Sequence, residues 1–267
     1  MKTRFIHLCL AATVATVALT PAAIAADLTG VGYLNQAQVG SLPTFAKANT
    51  QLAQAKAVLD RQFVAAMKGA KTDADRQRVA LEFQQKFSDK QNELMGPVLE
   101  RTQMAIAQVA AKNHLSIVVD KRIVVYGGEN VTKAVVALLS SSQAITAPTA
   151  TPPPSEIGFV DNNALDSLPT VKEADQKLSK YVQAQRKIYE QRFNAAKNNA
   201  ERTAVAASYN KKVAAKQKQL LQPLVDKTRS ATAAAAKKKG LLVVIDRADV
   251  VFGGVDITKD VQNALLK

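Results

Sequence analysis

Few residues of this chain are of types that do chemistry, and their spacing leaves them nothing to work with. His114 is the single histidine beyond the N-terminal stretch, at a junction where a helical pattern gives way to an apolar run. A pattern recurs along the chain at an offset of 126, and the position so related to His114 is Gly240. A metal site or a Ser/His/Asp arrangement needs further partners at defined distances, and no such set can be assembled around it. Asp120 and Asp246 are equivalent under the offset and close apolar runs; a carboxylate there is expected to accept turn hydrogen bonds rather than substrate protons. Gly127-Gly128 lacks the spacing and the following helix of a phosphate loop. No catalytic residue, cofactor or metal site is predicted, and the chain is expected not to be an enzyme.

The chemistry that remains is electrostatic. The 267 residues carry 36 Lys and Arg against 22 Asp and Glu, a net charge of +14. Lys68, Lys71, Arg76 and Arg78, and then Lys197, Arg202, Lys211 and Lys212, fall near the ends of two long helical patterns. Bases so placed suit acidic unfolded chains or anionic lipid headgroups. For any one of them a solvated helix face is the plainer reading. The charge summed over the C-terminal half is what points to a partner: residues 158–267 hold 20 bases and 11 acids, residues 26–157 hold 14 and 11.

What positions these residues begins with a segment that does not belong to the working protein. Lys2 and Arg4 precede an apolar stretch from Phe5 to Leu19, and Ala23-Ile24-Ala25 presents small residues where a signal peptidase reads. Cleavage after Ala25 is predicted, because Pro21 and the shortness of the run argue against a membrane anchor. It removes Cys9, so the mature chain has no cysteine and a net charge of +12. No other segment is long and apolar enough to span a bilayer. Export in turn argues against a nucleic-acid partner, for which no groove-reading or stacking motif is present.

Beyond the signal the chain reads as one unit written twice. Gly32-Tyr33-Leu34-Asn35 returns as Gly158-Phe159-Val160-Asp161, Ser41-Leu42-Pro43-Thr44 as Ser167-Leu168-Pro169-Thr170, and Tyr126-Gly127-Gly128 as Phe252-Gly253-Gly254. Roughly a third of about 110 paired positions are identical without a gap. The expected organisation is a signal at 1–25, a first repeat at 26–139, a Pro/Ser/Thr-rich solvated linker at 140–157 and a second repeat at 158–267.

Each repeat reads as strand, long helical hairpin, strand pair and helix. Apolar residues are 47% of the chain but aromatics only 5%, which suits long Ala-rich helices better than a thick globule. Leu42-Pro43 ends a strand over 31–35 and starts a helix whose Phe45, Ala48, Leu52, Ala55 and Leu59 form a narrow seam; Val171, Ala174, Leu178 and Tyr181 repeat it. After a capped turn at 69–73 a second helix runs to Lys112 with Val79, Phe83, Phe87, Leu94, Val98 and Leu99 apolar, bent near Pro97, and near Pro223 in the copy. The two helices would be roughly 35 and 60 Å long, an arm rather than a globule. Strands are expected at Leu115 to Val119 and Ile123 to Tyr126, and again at Leu241 to Ile245 and Val250 to Phe252. Asn130 or Thr132, and Asp256 or Thr258, then cap a last helix that buries Val135 and Leu139, or Val261 and Leu265. Few strands per repeat leave open edges, so Tyr33, Val118, Val125, Tyr126, Phe159, Val244, Val251 and Phe252 are expected to form a body that self-associates.

The order of these motifs resembles the Skp/OmpH family of periplasmic chaperones. The residues that carry the resemblance are Ile117-Val118-Val119-Asp120, Val125-Tyr126-Gly127-Gly128 and Asn130-Val131-Thr132, with Val243-Val244-Ile245-Asp246, Val251-Phe252-Gly253-Gly254 and Asp256-Ile257-Thr258 in the copy. It implies an α+β, mainly α fold: two Skp-like repeats, each a small β-strand oligomerisation body with a long antiparallel helical-hairpin arm. It also implies an ATP-independent periplasmic holdase that encloses unfolded outer-membrane proteins between its arms. The family's single-repeat members are trimers, so a tandem chain must complete its body differently, by sharing repeats between chains or by building separate barrels. The alternative reading is a structural envelope protein whose basic arms bind anionic lipid or lipopolysaccharide.

Overall fold

The computed structural model describes residues 30–148 and 153–266, so the predicted signal and Cys9 lie outside the described residues. The fold is α+β and mainly helical. The chain divides into two units, one of residues 26–155 with 249–253, the other of 156–248 with 254–267.

In the first unit, β1 (Val31–Leu34) leads directly into α1 (Gln36–Gly40), a short helix that the sequence patterns do not announce. Its N-cap is Asn35, whose side chain accepts from the Gln38 N–H. Leu42 then caps α2 (Pro43–Gly69), with Pro43 in the first turn where its missing N–H costs no helical bond. Thr72 starts α3 (Asp73–Lys112) through a reciprocal capping box with Asp75. α3 stays helical through Gly96 and Pro97, so the proline removes a hydrogen bond without ending the helix. At 1.5 Å per residue, 27 and 40 residues give arms of about 40 and 60 Å, the first a little longer than expected.

The chain returns through β2 (Ile117–Asp120), a one-turn 3-10 helix at Lys121–Ile123, β3 (Glu129–Asn130) and α4 (Thr132–Ser140). β1 lies parallel to both β2 and β3, with Val31 opposite Ile117 and Gly32 opposite Glu129. Gly32 lets β1 lie close under Leu115: a Cβ there would stand 2.5 Å from Leu115 Cδ1, so that side chain would have to shift. The N-cap of α4 is Val131 rather than Asn130 or Thr132, and Asn130, one residue before it, accepts from the Thr132 N–H. Thr132 instead turns its hydroxyl to the Asn35 N–H, tying the end of β1 to the last helix. Leu34, Ile106, Val109, Val118, Val131 and Val135 form the centre of the core.

The fourth strand of this sheet comes from far along the chain. β6 (Val250–Gly253) pairs antiparallel with β2, Ile117 opposite Gly253, Val118 opposite Phe252 and Val119 opposite Val250, with an irregularity between Val118 and Val119. The sheet order is β3-β1-β2-β6, and Val251 and Phe252 pack on the core. The expected strand at Ile123 to Tyr126 is therefore absent. Its slot beside β2 is filled by β6, and Val125 and Tyr126 are fully exposed, at 101% and 99%.

The second unit repeats these elements 126 residues on: β4 (Ile157–Val160), α5 (Asn162–Asp166), α6 (Pro169–Ala195), α7 (Asn199–Lys238), β5 (Val243–Asp246), β7 (Val255–Asp256) and α8 (Thr258–Leu265). Asp161 caps α5, Asp256 accepts from the Thr258 N–H, and Thr258 accepts from the Asp161 N–H. Gly158 faces Leu241 as Gly32 faces Leu115. Gly240, at φ +66, lets the chain leave α7, where His114 takes the same left-handed turn at φ +54. The sheet is β5-β4-β7, one strand short of the first, and the four β5 residues are only half-buried where those of β2 are buried. Its core of Val160, Leu165, Leu168, Ile257 and Val261 is correspondingly smaller.

Two further expectations change. Leu99 lies 48% exposed because its neighbour Val98 faces the seam, and adjacent helical residues point about 100° apart. The segment after Ser140 is not solvated throughout, since Ile145 is buried in the first core and Arg101 donates to the carbonyls of Ser141 and Gln143.

Candidate functional surface

The two helical hairpins carry most of the surface on which a large partner could lie. In each, the facing residues recur every three or four positions. Phe45 and Ala48 are buried near the body, and Leu52, Ala55, Leu59, Phe63 and Ala66 are half-buried further out, opposite Val79, Phe83 and Phe87. Two helices alone cannot bury a residue on all sides, so the seam remains accessible from its flanks. Val58, Val64 and Leu81, at 44%, 53% and 68% exposure, lie outside the seam altogether.

The second arm has the same architecture with more aromatic character. Tyr189 meets Phe193 at 5.3 Å and Tyr209 at 5.1 Å between ring centroids, where the first arm has one edge-on pair, Phe63 with Phe83 at 5.5 Å. A shallow groove between α6 and α7 is lined by Ile188, Tyr189, Arg192, Val205, Tyr209 and Lys212, among others. These aromatic contacts escape a reading that looks only for an apolar seam. Their signal is the recurrence of Tyr181, Tyr189 and Phe193 at spacings of eight and four.

Electrostatically the arms differ. Residues 43–112 hold 11 Lys and Arg against seven acids, and residues 169–238 hold 16 against five. In the first arm Lys56, Arg76, Arg78, Lys86 and Lys90 each face a carboxylate on their own helix. In the second, Lys177 and Arg186 do so. Between Glu201 and Asp226 the sequence of α7 has five bases and no acid.

The candidate basic residues thus fall into two kinds. Arg76 and Arg78 are held by Asp73 and Asp75 at 3.2 and 2.6 Å, and their charge is locally balanced. Arg202 stacks over the Phe193 ring, 5.5 Å from its centroid, which leaves its charge uncancelled. Lys68 closes α2, Lys71 sits in the tip turn, and Lys197, Lys211 and Lys212 are exposed or at the groove rim.

The tip of the first arm has a titratable lock. Asp75 accepts from the Thr72 hydroxyl at 2.7 Å and from its N–H at 3.3 Å. Those bonds, the hydroxyl's first, hold its carboxyl below the usual range, with the Arg78 charge adding to the effect. A carboxylate whose folded pKa is lowered stabilises the turn above its unfolded pKa, and that contribution is lost as pH falls through the folded value. Thr72→Ala removes the hydroxyl's bond and leaves the N–H and Arg78 in place, so it is expected to move the Asp75 titration upward, toward the ordinary carboxylate range, and to cost about 1 kcal/mol of local helix stability. Carboxyl NMR titration with amide exchange over residues 72–76 checks both; an unmoved Asp75 titration refutes the lock.

The body residues separate just as clearly. Val118 is fully buried, while Val251 and Phe252 cover it from β6. Tyr33 is half-buried with Lys121 over its ring at 5.5 Å, and Phe159 carries Arg247 at 5.2 Å in the same position. Val244 lies half-buried in β5, and Val125 and Tyr126 touch nothing that covers them. Asp120 and Asp246 accept from the Arg122 and Ala248 N–H groups, as strand-end turn carboxylates do. Asp120 also pairs with the Arg122 guanidinium, raising the pKa of that arginine.

Among the described residues no group of three or more His, Cys, Asp and Glu side chains could hold a metal, and no helix is long and apolar enough to cross a membrane. Residues 36–139 match a family model described as outer membrane protein (OmpH-like). No curated protein and no solved structure matches the chain.

Proposed function

We propose that this chain, whose residues 36–139 match the OmpH-like family model, shares that family's periplasmic role toward unfolded outer-membrane proteins and is an ATP-independent holdase. The proposal includes export by removal of residues 1–25, two homologous repeats of which 36–139 is the core of the first, and self-association through the strand bodies. The observation that carries it is the arm surface: long, half-covered apolar seams with Val58, Val64 and Leu81 standing outside them among charged residues.

A holdase needs contacts weak enough to release an unfolded client and numerous enough to retain it. A dispersed set of small apolar side chains meets both needs through multivalency, whereas one deep pocket would trap a single segment. The bases of the second arm add long-range attraction for acidic client stretches, which salt screens. No step of this mechanism requires covalent chemistry or a cofactor.

The test is suppression of aggregation. Purified chain from residue 26 onward, mixed with a urea-denatured porin and diluted into low-salt buffer, is expected to abolish light scattering at near-stoichiometric ratio. Scattering unchanged at every ratio sinks the proposal. A second reading is favoured by the acid-free stretch of α7, namely binding of anionic lipid or lipopolysaccharide through the second arm. Salt-sensitive binding to anionic vesicles without chaperone activity is the outcome that selects it.

A further inference from the structure

We propose that the cleft between α6 and α7 at Tyr189 and Tyr209 is a carboxylate site, absent from the first arm, that grips Asp- or Glu-bearing segments of an unfolded polypeptide. It rests on the proposed holdase function and names the client segments that one arm selects.

The two arms diverge at this spot in one chemical direction. Each places an aromatic pair at the offset of 126, Phe63 with Phe83 at 5.5 Å and Tyr189 with Tyr209 at 5.1 Å between ring centroids. Around the first pair the charge is closed. Glu82 holds Lys86 at 2.7 Å, and that ammonium also lies 4.9 Å from the Phe83 centroid. In the second arm Lys212 keeps the place of Lys86, but Ser208 stands where Glu82 does and Arg192 where Ala66 does. An acid is gone and a base has arrived. The two tyrosines each add a hydroxyl donor to the ring they replace, and Ile188 stands where Gln62 does.

The structure gathers these changes in one place: Ile188, Tyr189, Arg192, Ser208, Tyr209 and Lys212 all line the shallow groove between the helices. Among the described residues neither Arg192 nor Lys212 pairs with a carboxylate, and Glu190 of α6 is held by Arg186 at 2.9 Å. A solvated helix face has no need to lose an acid, gain a base and gain two donors at one spot. A bound carboxylate uses all of them.

The chemistry favours a peptide as the occupant. The Arg192 guanidinium presents paired donors that match a carboxylate, and Lys212 adds a point charge. Ile188 and Val205 offer apolar surface to the neighbouring side chain of the same segment. The groove is open and holds about 270 Å³, less than the roughly 300–1,000 Å³ of clefts that enclose a small molecule. It therefore takes one or two side chains of a longer chain and is too small for an acyl tail. Exposed ion pairs are individually weak, which suits a client that must leave.

The probe is a short fluorescein-labelled peptide of Glu, Leu and Ser, beside the same peptide with Gln for Glu. Each is titrated with the chain from residue 26 in low-salt buffer and read by anisotropy. Ser208→Glu, which restores the acid of the first arm, is expected to weaken binding of the Glu peptide by roughly threefold to tenfold and to leave the Gln peptide unchanged. Arg192→Ala is expected to do the same. Ser179→Glu makes the same charge change on α6 outside the groove and is expected to alter Glu-peptide binding by less than about twofold. Ser179, Arg192 and Ser208 are all exposed, so none of the three changes disturbs packing. Equal effects of Ser208→Glu and Ser179→Glu overturn the site and leave only the general charge of the arm. Binding to phosphatidylglycerol vesicles that falls in Ser208→Glu, with the Glu peptide unaffected, overturns it in favour of a lipid surface. Porin aggregation is read separately with the parent chain. Suppression without the groove effect keeps the holdase and removes this site, while the groove effect without suppression keeps the site and removes the holdase.

Discussion

Gly253→Ala is expected to lower the stability of the first unit by about 2–4 kcal/mol, while Gly127→Ala costs that unit only the conformational penalty of about 1–2 kcal/mol. Both glycines have positive φ, +70 and +79, so the conformational penalty for a Cβ is similar. Their surroundings differ. A Cβ at Gly253 runs into the Ser116 carbonyl and the Ile117 backbone, groups of β2 that cannot move without breaking the sheet; at Gly127 nothing lies within 4 Å. The clash lifts β6 away, uncovers Val118 and withdraws Val251 and Phe252 from the core. Denaturant unfolding of the two variants, followed with limited proteolysis around residues 249–253, is the measurement. Equal destabilisation by both would falsify the assignment of β6 as the strand that completes the first sheet.

Leu34→Ala is expected to cost about 3 kcal/mol and Leu81→Ala less than about 0.5 kcal/mol. Leu34 is 1% exposed at the centre of the first core, so truncation loses its transfer energy and leaves a cavity that β1 and α4 cannot both close. Leu81 is 68% exposed on α3, and removing it loses almost no packing. The contrast has a functional side. If Leu81, Val58 and Val64 contribute client contacts, their combined replacement by alanine weakens aggregation suppression while thermal unfolding stays put. A Leu81→Ala chain as unstable as Leu34→Ala means the arm surface is packed rather than free.

Much of this architecture is written locally. The 3–4 spacing from Phe45 to Leu59, the proline at the head of α2, the capping pair at Thr72 and Asp75 and the glycine after α7 each act within a turn or two of chain, so their effect does not depend on what folds elsewhere. The same locality explains the misses. α1 and α5 are single-turn helices whose signal is one capping Asn or Asp, too short for periodicity to register. Leu99 joined the seam on hydrophobicity alone, and only the packing of α2 on α3 distinguishes it from Val98. Among the basic candidates, spacing brought out the cluster at the first tip but not that Asp73 and Asp75 balance Arg76 and Arg78.

The sequence by itself determined that the chain is a basic, helix-rich molecule of repeated elements with long hairpin arms, because periodicity, caps and repeats are properties of neighbouring residues. It did not determine which strand completes which sheet. Val124-Val125-Tyr126-Gly127 and Val250-Val251-Phe252-Gly253 are nearly the same tetrapeptide, yet one lies exposed and the other closes the first body. A strand four residues long has no stability of its own, and its fate is set by whichever free edge reaches it. That is a property of the tertiary structure, where the edge of β2 is filled and the edge of β5 stays open.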